Sequence, residues 1–486
     1  MKDTKVYHFL SGLTKTELNR LSKYLESPYF NRNEILLTIY YQLEQHFRNN
    51  SSTELTTIGI WNQIYPQTPY HGDRFRKLCS ELMDLCEAFL AQQIYDNNPL
   101  HQANYLLQAV HHKQIERMYT SATNTARNLA KKQFFKPASY YYYLYEIEKN
   151  LYKLENVELN RASKKNIEKI NLEKIVSNLD YFYISEKLKY YCSLLSWNKI
   201  IALDKNLLFI QEIIQIARSD EFIDIPPIAI YLKIQDTIID FENENHYFEL
   251  KHLIEKYIDL FPVDEAKNIM DNAINYTILK GNKGNIGYLK ESLDLYKKSL
   301  DKELLYVNEE ITPWTFKNIV SIALRQKEFE WTETFINLYG EKINKLYQQN
   351  AINFGLASLF FFKKEFEKAI PFLQKVEYEE IYFSLSSKAL MLSTYFELDE
   401  FMVLGSFFES FKNYLTRNKN VSQSNKLRYL NLIKYTKKLV ESSQYSKTKL
   451  LKLKEDIKAD SSIGKDWLLE KVDELIAIAK PEKIKN

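Results

Sequence analysis

The stretch Leu356–Val376, LASLFFFKKEFEKAIPFLQKV, holds two apolar segments separated by the polar residues Lys363, Lys364 and Glu365. Each segment has the apolar spacing of a helix, and Phe366 opens the second one. The stretch therefore predicts a helical hairpin with a tight polar bend, in which an aromatic side chain packs back between the two helices.

Two further bends of this kind lie on either side of the first. They are Gln326–Glu330, which contains Phe329, and Leu398–Phe401. Phe329 lies 37 residues before Phe366, and Phe401 lies 35 residues after it. A fixed period of this length is the sequence signature of a helical repeat array. We therefore expect tandem helical hairpins over this part of the chain.

The segment 356–376 resembles a tetratricopeptide repeat. The residues that fit the motif in register are Leu356, Ala357, Phe360, Phe366, Ala369, Leu373 and Val376. An earlier copy fits through Phe241, Tyr247, Leu250, Ile254 and Tyr257, with Pro262 at the place of the closing proline. The copies around Phe329 and Phe401 carry Thr332 and Leu404 where the motif has a small residue.

The resemblance covers residues 220–415 and sets an expectation for fold and function. It implies a right-handed solenoid of stacked helix pairs, in which each pair buries its face on its neighbours. It also implies binding of a protein or a peptide, which is the usual role of the family's concave face.

The composition favours the same fold class. The chain has 486 residues but only 10 glycines and 11 prolines, about a third of the usual share. Phosphate loops, dinucleotide folds, sandwiches and barrels need glycine turns at fixed places, whereas helices joined by short connections need few. We therefore expect an all-α protein. Along the chain we expect an N-terminal helical module (1–97), a repeat array (98–415) and a basic C-terminal helical cap and tail (416–486).

The N-terminal module has its own helix signals. Thr14 or Thr16 caps a helix that runs to about Glu26, and Asn33 caps a second one. As a whole the module resembles the start of helical proteins found in Bacteroidetes-type bacteria. The segments Trp61–Pro66 and Arg74–Leu78, the second with Arg74, Arg76 and Lys77, are also similar to the helical half of winged-helix modules, and that resemblance implies a helix in the major groove of DNA. The strand pair of the wing is missing from Gln92–Leu100, so a plain helical cap is the first interpretation.

Residue usage also limits the compartment and the chemistry. Three cysteines, Cys79, Cys86 and Cys192, cannot form a disulfide framework and indicate a reducing compartment. The N-terminus lacks the pattern of a signal peptide and no apolar run is long enough to span a membrane, so we expect a cytoplasmic protein. The glycine cluster Gly281–Gly287 follows no strand and precedes no Gly-Lys-Ser or Gly-Lys-Thr, so it reads as a loop between helices.

We find no catalytic set, no cofactor motif and no metal-ligand spacing, and expect a chain that is not an enzyme, binds no cofactor and holds no metal. Cys79 and Cys86 lie seven residues apart, which favours core packing over a metal site. Catalytic triads do assemble across distant parts of a sequence, so an enzyme built in this way is a further alternative.

Tyrosine is concentrated in the segment Tyr140–Tyr145, which is followed by Tyr152. Consecutive residues of a helix cannot all face the core, so some of these hydroxyls must reach water or a partner. Tyrosine is enriched at protein interfaces because it combines a large rigid contact area with a hydrogen-bonding tip. Tyr141, Tyr145 and Tyr152 are therefore candidate partner-binding residues. The alternative is that these rings simply pack helical hairpins.

The C-terminal part of the chain is basic. Residues 411–486 contain 18 Lys and Arg against nine Asp and Glu, and the segment Phe411–Val440 holds eight basic residues and no acidic one. On a helix that starts at Lys426, the side chains of Lys426, Lys434, Lys437 and Lys438 lie opposite the apolar side. Such a face suits phosphates or an acidic partner, and the alternative is a solvated outer face.

The combined observations predict a non-enzymatic helical-repeat scaffold that binds a protein or a peptide. The alternative is a nucleic-acid-associated regulator that uses Arg74, Arg76 and Lys77 or the basic stretch 412–438.

Overall fold

The computed structural model describes residues 1–48, 55–154, 171–201, 207–376, 381–444 and 446–478. Within these ranges the protein has 23 α-helices, which pack largely against their neighbours in the chain. This confirms the expected all-α class. Backbone contacts divide the chain into unit 1, Met1–Lys187, and unit 2, Leu188–Asn486. The boundaries near residues 97 and 415 stay predictions.

The helices of unit 1 are α1 (Lys5–Ser11), α2 (Lys15–Glu26), α3 (Glu34–Arg48), α4 (Thr57–Ile64), α5 (Gly72–Asp96), α6 (Pro99–His112), α7 (Tyr119–Lys132) and α8 (Ala138–Leu154). The division between the units falls within α9 (Leu172–Ile201). A short 3-10 helix, Glu116–Met118, precedes α7.

The first five helices share one apolar core, built around the fully buried side chains of Tyr40 and Trp61. Tyr40 OH donates a hydrogen bond to the Leu18 carbonyl at 2.7 Å, and Trp61 Nε1 donates to the Thr68 carbonyl at 2.8 Å. Both polar tips are thus satisfied inside the core, as burial requires. Of the two predicted caps, Thr14 and Thr16, the structure uses Thr14, which caps α2 in a reciprocal capping box with Glu17.

The remaining helices belong to unit 2. They are α10 (Ile210–Ala217), α11 (Pro226–Ile239), α12 (Glu244–Tyr257), α13 (Val263–Asn282), α14 (Gly287–Asp301), α15 (Pro313–Arg325), α16 (Phe329–Tyr339), α17 (Lys345–Phe362), α18 (Phe366–Gln374), α19 (Ile381–Glu397), α20 (Phe401–Arg417), α21 (Gln423–Val440), α22 (Lys447–Ala459) and α23 (Lys465–Ile478). Two-residue strands, β1 (Tyr306–Val307) and β2 (Glu310–Ile311), form an antiparallel hairpin between α14 and α15. Short 3-10 helices lie at Ile258–Leu260, Gly340–Lys342 and Glu441–Gln444.

The three predicted bends have the same backbone conformation. The residue two positions before each phenylalanine, Lys327, Lys364 or Asp399, has a left-handed φ of 61°, 62° or 57°. The next residue is a glutamate, whose backbone N–H donates to the carbonyl five residues earlier at 2.9–3.0 Å. This arrangement provides a hydrogen bond to a carbonyl at the C-terminus of the helix and reverses the direction of the chain. Each phenylalanine is then the first residue of the following helix.

The aromatic residues at two of these bends pack back on the preceding helix. The ring of Phe366 lies 5.4 Å from that of Phe361, and the ring of Phe401 lies 6.0 Å from that of Phe396. These centroid distances are typical of edge-to-face aromatic pairs. The predicted hairpins over α15–α16, α17–α18 and α19–α20 are therefore present.

Successive hairpins pack through their first helices. Helix α15 contacts α16 and also α17, α17 contacts α18 and α19, and α19 contacts α20 and α21. We call α15, α17 and α19 the A row. Thr332, Ala369 and Leu404, at equivalent positions of the second helices, are each fully buried. The packing in neighbouring pairs is compatible with a helical-repeat fold.

Candidate interaction surfaces

The predicted tyrosines of α8 lie in different environments. Tyr141 is only 7% exposed, and its ring lies 5.2 Å from that of Tyr140 and 5.5 Å from that of Tyr181. Tyr145 and Tyr152 are half-buried and lie two turns apart, so they share a side of the helix. Tyr141 thus contributes mainly to packing, whereas Tyr145 and Tyr152 present part of their surface.

Tyr145 belongs to a larger group of rings on unit 1, which we call the aromatic surface. Its members are Tyr95, His101, Tyr105, Tyr142, Tyr143, Tyr145 and Phe182. Each ring lies within 4.6–6.4 Å of another member, and they come from the four helices α5, α6, α8 and α9. Tyr105 is 47% exposed. The sequence indicated the α8 residues but gave no sign that α5, α6 and α9 add rings to them.

The predicted basic face of α21 is largely neutralised by nearby carboxylates. Lys434 Nζ lies 3.1 Å from an Asp460 carboxylate oxygen, and Lys437 Nζ lies 2.9 Å from one of Glu409. Lys438 Nζ lies 3.8 Å from Asp456. The hydrogen bonds from Tyr435 and Lys434 hold the pKa of the Asp460 carboxyl below its ordinary value.

The N-terminal part of the same basic stretch is different. Its basic residues make no ion pair with any residue that the structure describes. They are Lys412, Arg417, Lys419, Lys426 and Arg428. Of the four predicted lysines, only Lys426 belongs to this group. The group surrounds the connection between α20 and α21, and we call it the basic bend.

The structure brings together a further set of side chains on the A row. Lys317 of α15 donates a hydrogen bond to Ser386 Oγ of α19. Its Nζ lies 5.1 Å from the ring centroid of Trp314, 5.4 Å from that of Phe354 and 5.6 Å from that of Phe383. We call these five residues the A-row site. Trp314 is 52% exposed, so the site combines an exposed aromatic ring with a cation in cation–π range.

Sequence reasoning missed the A-row site, although one signal was available. Helices α15, α17 and α21 contain no Asp or Glu, and α19 contains only Glu397, its last residue. The same four helices contain nine Lys and Arg. Once the helix bounds are known, the excess of Lys and Arg over Asp and Glu identifies these four helices as basic. Helix α16, by contrast, contains two glutamates.

Arg74 and Arg76 of the N-terminal module are exposed, and each contacts a neighbouring side chain. Arg74 Nη2 donates to Tyr65 OH at 2.9 Å, and its guanidinium lies 4.4 Å from the Tyr65 ring centroid. Arg76 forms an ion pair with Asp73, and Lys77 is exposed beside them. The interpretation of this segment as a DNA-binding helix stays a prediction.

The three cysteines are buried free thiols. Burial raises the pKa of Cys79 to about 11 and that of Cys86 to about 12, so neither is a thiolate at neutral pH. No group of three or more His, Cys, Asp or Glu within the described ranges is arranged to hold a metal ion.

The glycine cluster joins α13 to α14. A Cβ on Gly281 would stand 2.6 Å from Leu289 Cδ2, so this glycine permits close packing of the two helices. The cluster therefore acts as a loop between helices, as the sequence predicts.

No helix in the part of the chain that the structure describes is both long and apolar enough to cross a membrane. Searches with the whole chain matched no protein-family model, no curated protein and no solved structure.

Proposed function

We propose that this protein is a non-enzymatic scaffold that binds a protein or a peptide on a tetratricopeptide-like, right-handed solenoid of helical hairpins. The observation that carries the proposal is the A row, in which three successive hairpins place their first helices side by side. Arrays of this architecture use an extended surface, formed by equivalent helices of successive repeats, for recognition.

The chemistry of the A-row site supports this proposal. Trp314 offers a large, half-exposed ring, and aromatic residues of this kind dominate the energetics of protein interfaces. Lys317 adds a positive charge among Phe354, Phe383 and Ser386. A partner that packs on Trp314 would therefore meet a polar, positively charged group beside an apolar one.

The test is affinity capture with the tagged full-length chain from an extract of its native cell. Trp314→Ala removes the exposed ring, and Leu338→Ala on α16 is the matched control, because Leu338 is 60% exposed. We expect one or more proteins to be recovered with the wild type and with Leu338→Ala, and to be depleted with Trp314→Ala. The proposal fails if no protein is specifically recovered, or if Trp314→Ala recovers the same proteins in the same amounts.

A further inference from the structure

The basic stretch Phe411–Val440 divides into two parts with opposite electrostatic environments. In the C-terminal part of α21, three lysines each lie within 4 Å of a carboxylate oxygen from α20 or from the segment Lys447–Asp460. In the basic bend, no described residue forms an ion pair within 4 Å with any of the five cations, although the charge of Lys412 reaches Glu409. The described residues thus supply a close carboxylate to each of three lysines in one half of the stretch and to none of the five cations in the other.

The geometry of α21 explains why the ion pairs with carboxylates do not extend to Lys426. Lys426 lies 11 residues before Lys437, which is about three turns and about 16 Å along the same side of α21. Lys437 faces Glu409 of α20. One turn beyond Glu409, α20 carries Lys412 and then Arg417 at its last position. Like charges therefore accumulate at the end of the helix pair where Lys426 lies.

A cluster of like charges without internal partners opposes folding, since each pair of such charges repels. The basic bend contains five cations, and the described ranges offer no acidic residue between Phe411 and Val440 to offset them. Leu427, in the middle of the bend, is 56% exposed. The bend therefore offers a ligand several positive charges around one apolar side chain.

We propose that the basic bend binds an acidic segment of a partner protein. This inference rests on the proposed function and names the chemistry of the partner. The lysines three turns further along α21 already hold single carboxylates from neighbouring helices, and a partner's Asp and Glu side chains continue that row. Leu427 gives such a segment an apolar contact between its carboxylates.

The same observations favour an acidic polypeptide over a nucleic acid. Proteins whose binding to duplex DNA depends strongly on salt make about 6–10 phosphate contacts, and the five cations of the bend fall below that number. Single-stranded nucleic acids need exposed rings on which their bases stack. The aromatic residue within 412–428 is Tyr414, and its ring is half-buried, with Lys388 Nζ 4.9 Å from its centroid.

The experiment measures binding of a fluorescein-labelled oligoglutamate peptide to the full-length chain by fluorescence anisotropy. The test variant combines Arg417→Glu with Lys426→Glu. The control variant combines Lys447→Glu with Lys452→Glu on α22, because both lysines are exposed, make no ion pair with described residues and give the same change in net charge. Circular dichroism confirms that each variant is folded.

We expect the wild type and the control to bind the peptide with similar affinity, and the test variant to bind at least about tenfold more weakly. Raising the salt concentration from about 50 to about 200 mM should weaken binding to the wild type. The inference is overturned if the wild type does not bind the peptide, or if both variants lose affinity equally. It is also overturned if a duplex DNA of equal charge binds more tightly and loses affinity in the test variant alone.

These outcomes are separate from those of the capture experiment. A chain that recovers a partner through Trp314 but ignores oligoglutamate overturns this inference and leaves the proposed function intact. A chain that recovers no partner at all overturns the proposed function.

Discussion

Tyr247 of unit 2 and Tyr105 of unit 1 both lie on amphipathic helices, yet they belong to two different kinds of tyrosine cluster. Tyr247 is fully buried, and its ring is stacked on that of Tyr276 with centroids 5.1 Å apart and planes 7° apart. Tyr105 is stacked on His101 with centroids 4.6 Å apart but keeps almost half of its surface exposed. The same residue type therefore builds a core in one unit and a surface in the other.

Hydroxyls of both clusters have hydrogen-bond partners within the protein. Tyr247 OH donates to Glu291 Oε2 at 3.0 Å, and Tyr276 OH donates to the Phe241 carbonyl at 3.2 Å. In unit 1, Tyr143 OH accepts from Asn98 Nδ2 at 2.7 Å, and this partner lies at the N-terminus of α6. Buried tyrosines need internal partners because water cannot reach them, whereas a surface tyrosine can use water or a binding partner.

The largest expected effect is that of Tyr247→Ala. Removing this buried ring leaves a cavity against Tyr276 and Tyr288, and we expect the free energy of unfolding to fall by about 3–5 kcal/mol. Urea unfolding followed by circular dichroism measures the loss. A change below about 1 kcal/mol would show that the cluster is not a core.

Tyr247→Phe isolates the hydroxyl from the ring. The variant keeps the packing but removes the hydrogen bond to Glu291, so the free energy of unfolding should fall by about 1 kcal/mol. The same urea titration measures it, with Tyr247→Ala as the reference for the whole side chain. A loss as large as that of the alanine variant would mean that the hydroxyl, and not the ring, holds the cluster together.

Tyr247→Phe should also change the pH dependence of stability. Burial raises the pKa of Glu291, but hydrogen bonds from Lys251 and Tyr247 outweigh it, so the pKa lies below its ordinary value of 4.5. A lowered carboxyl pKa gives stability that is present above pH 4.5 and is lost as the pH falls through the folded-state pKa. Without the hydroxyl that pKa rises toward 4.5, so the acid-dependent loss should be smaller in the variant when urea unfolding is repeated at falling pH.

Tyr105→Ala tests the other side of the comparison. Because the ring is almost half exposed, its loss should change the free energy of unfolding by only about 0.5 kcal/mol. The measurement is the same urea titration. A loss comparable to that of Tyr247→Ala would place Tyr105 in a core and remove the distinction between the two clusters.

The smallest expected effect is a difference in the rate at which the two tyrosines are nitrated in the wild-type protein. Tetranitromethane nitrates accessible tyrosinate, so Tyr105 should be modified in the folded protein while Tyr247 stays unmodified. Burial is the main cause that raises the pKa of the Tyr247 hydroxyl, and the charge of Glu291 raises it further. The higher pKa leaves less of the reactive tyrosinate, which further protects Tyr247 from nitration. Peptide mass spectrometry after brief treatment gives the order of reaction, and early nitration of Tyr247 would contradict the comparison.

Much of the fold could be predicted because its signals are local. The Thr14 cap, the Asn33 cap and the phenylalanines of the three bends act within a few residues of their own positions. Helix α1 was missed, since its seven residues bury only Val6 and Leu10 and show no clear period.

The candidate surfaces were harder to predict because their parts are distant in sequence. The carboxylates that neutralise Lys434 and Lys437 lie 26 and 28 residues away, and Ser386 lies 69 residues from Lys317. A periodic pattern shows which side of a helix is polar but not which helix lies opposite. The basic stretch therefore looked uniform in the sequence, whereas the structure divides it into a neutralised half and an uncompensated half.

The left-handed residues of the three bends have a consequence for engineering. Lys327, Lys364 and Asp399 adopt a conformation that glycine accepts without steric cost, and in natural helices this position is most often glycine. None of these three equivalent positions is a glycine, so a glycine substitution at each of them should raise the thermal stability of the protein. Because the bends belong to different hairpins, glycine substitutions there should give independent gains that add, and the three hairpins could be strengthened one at a time.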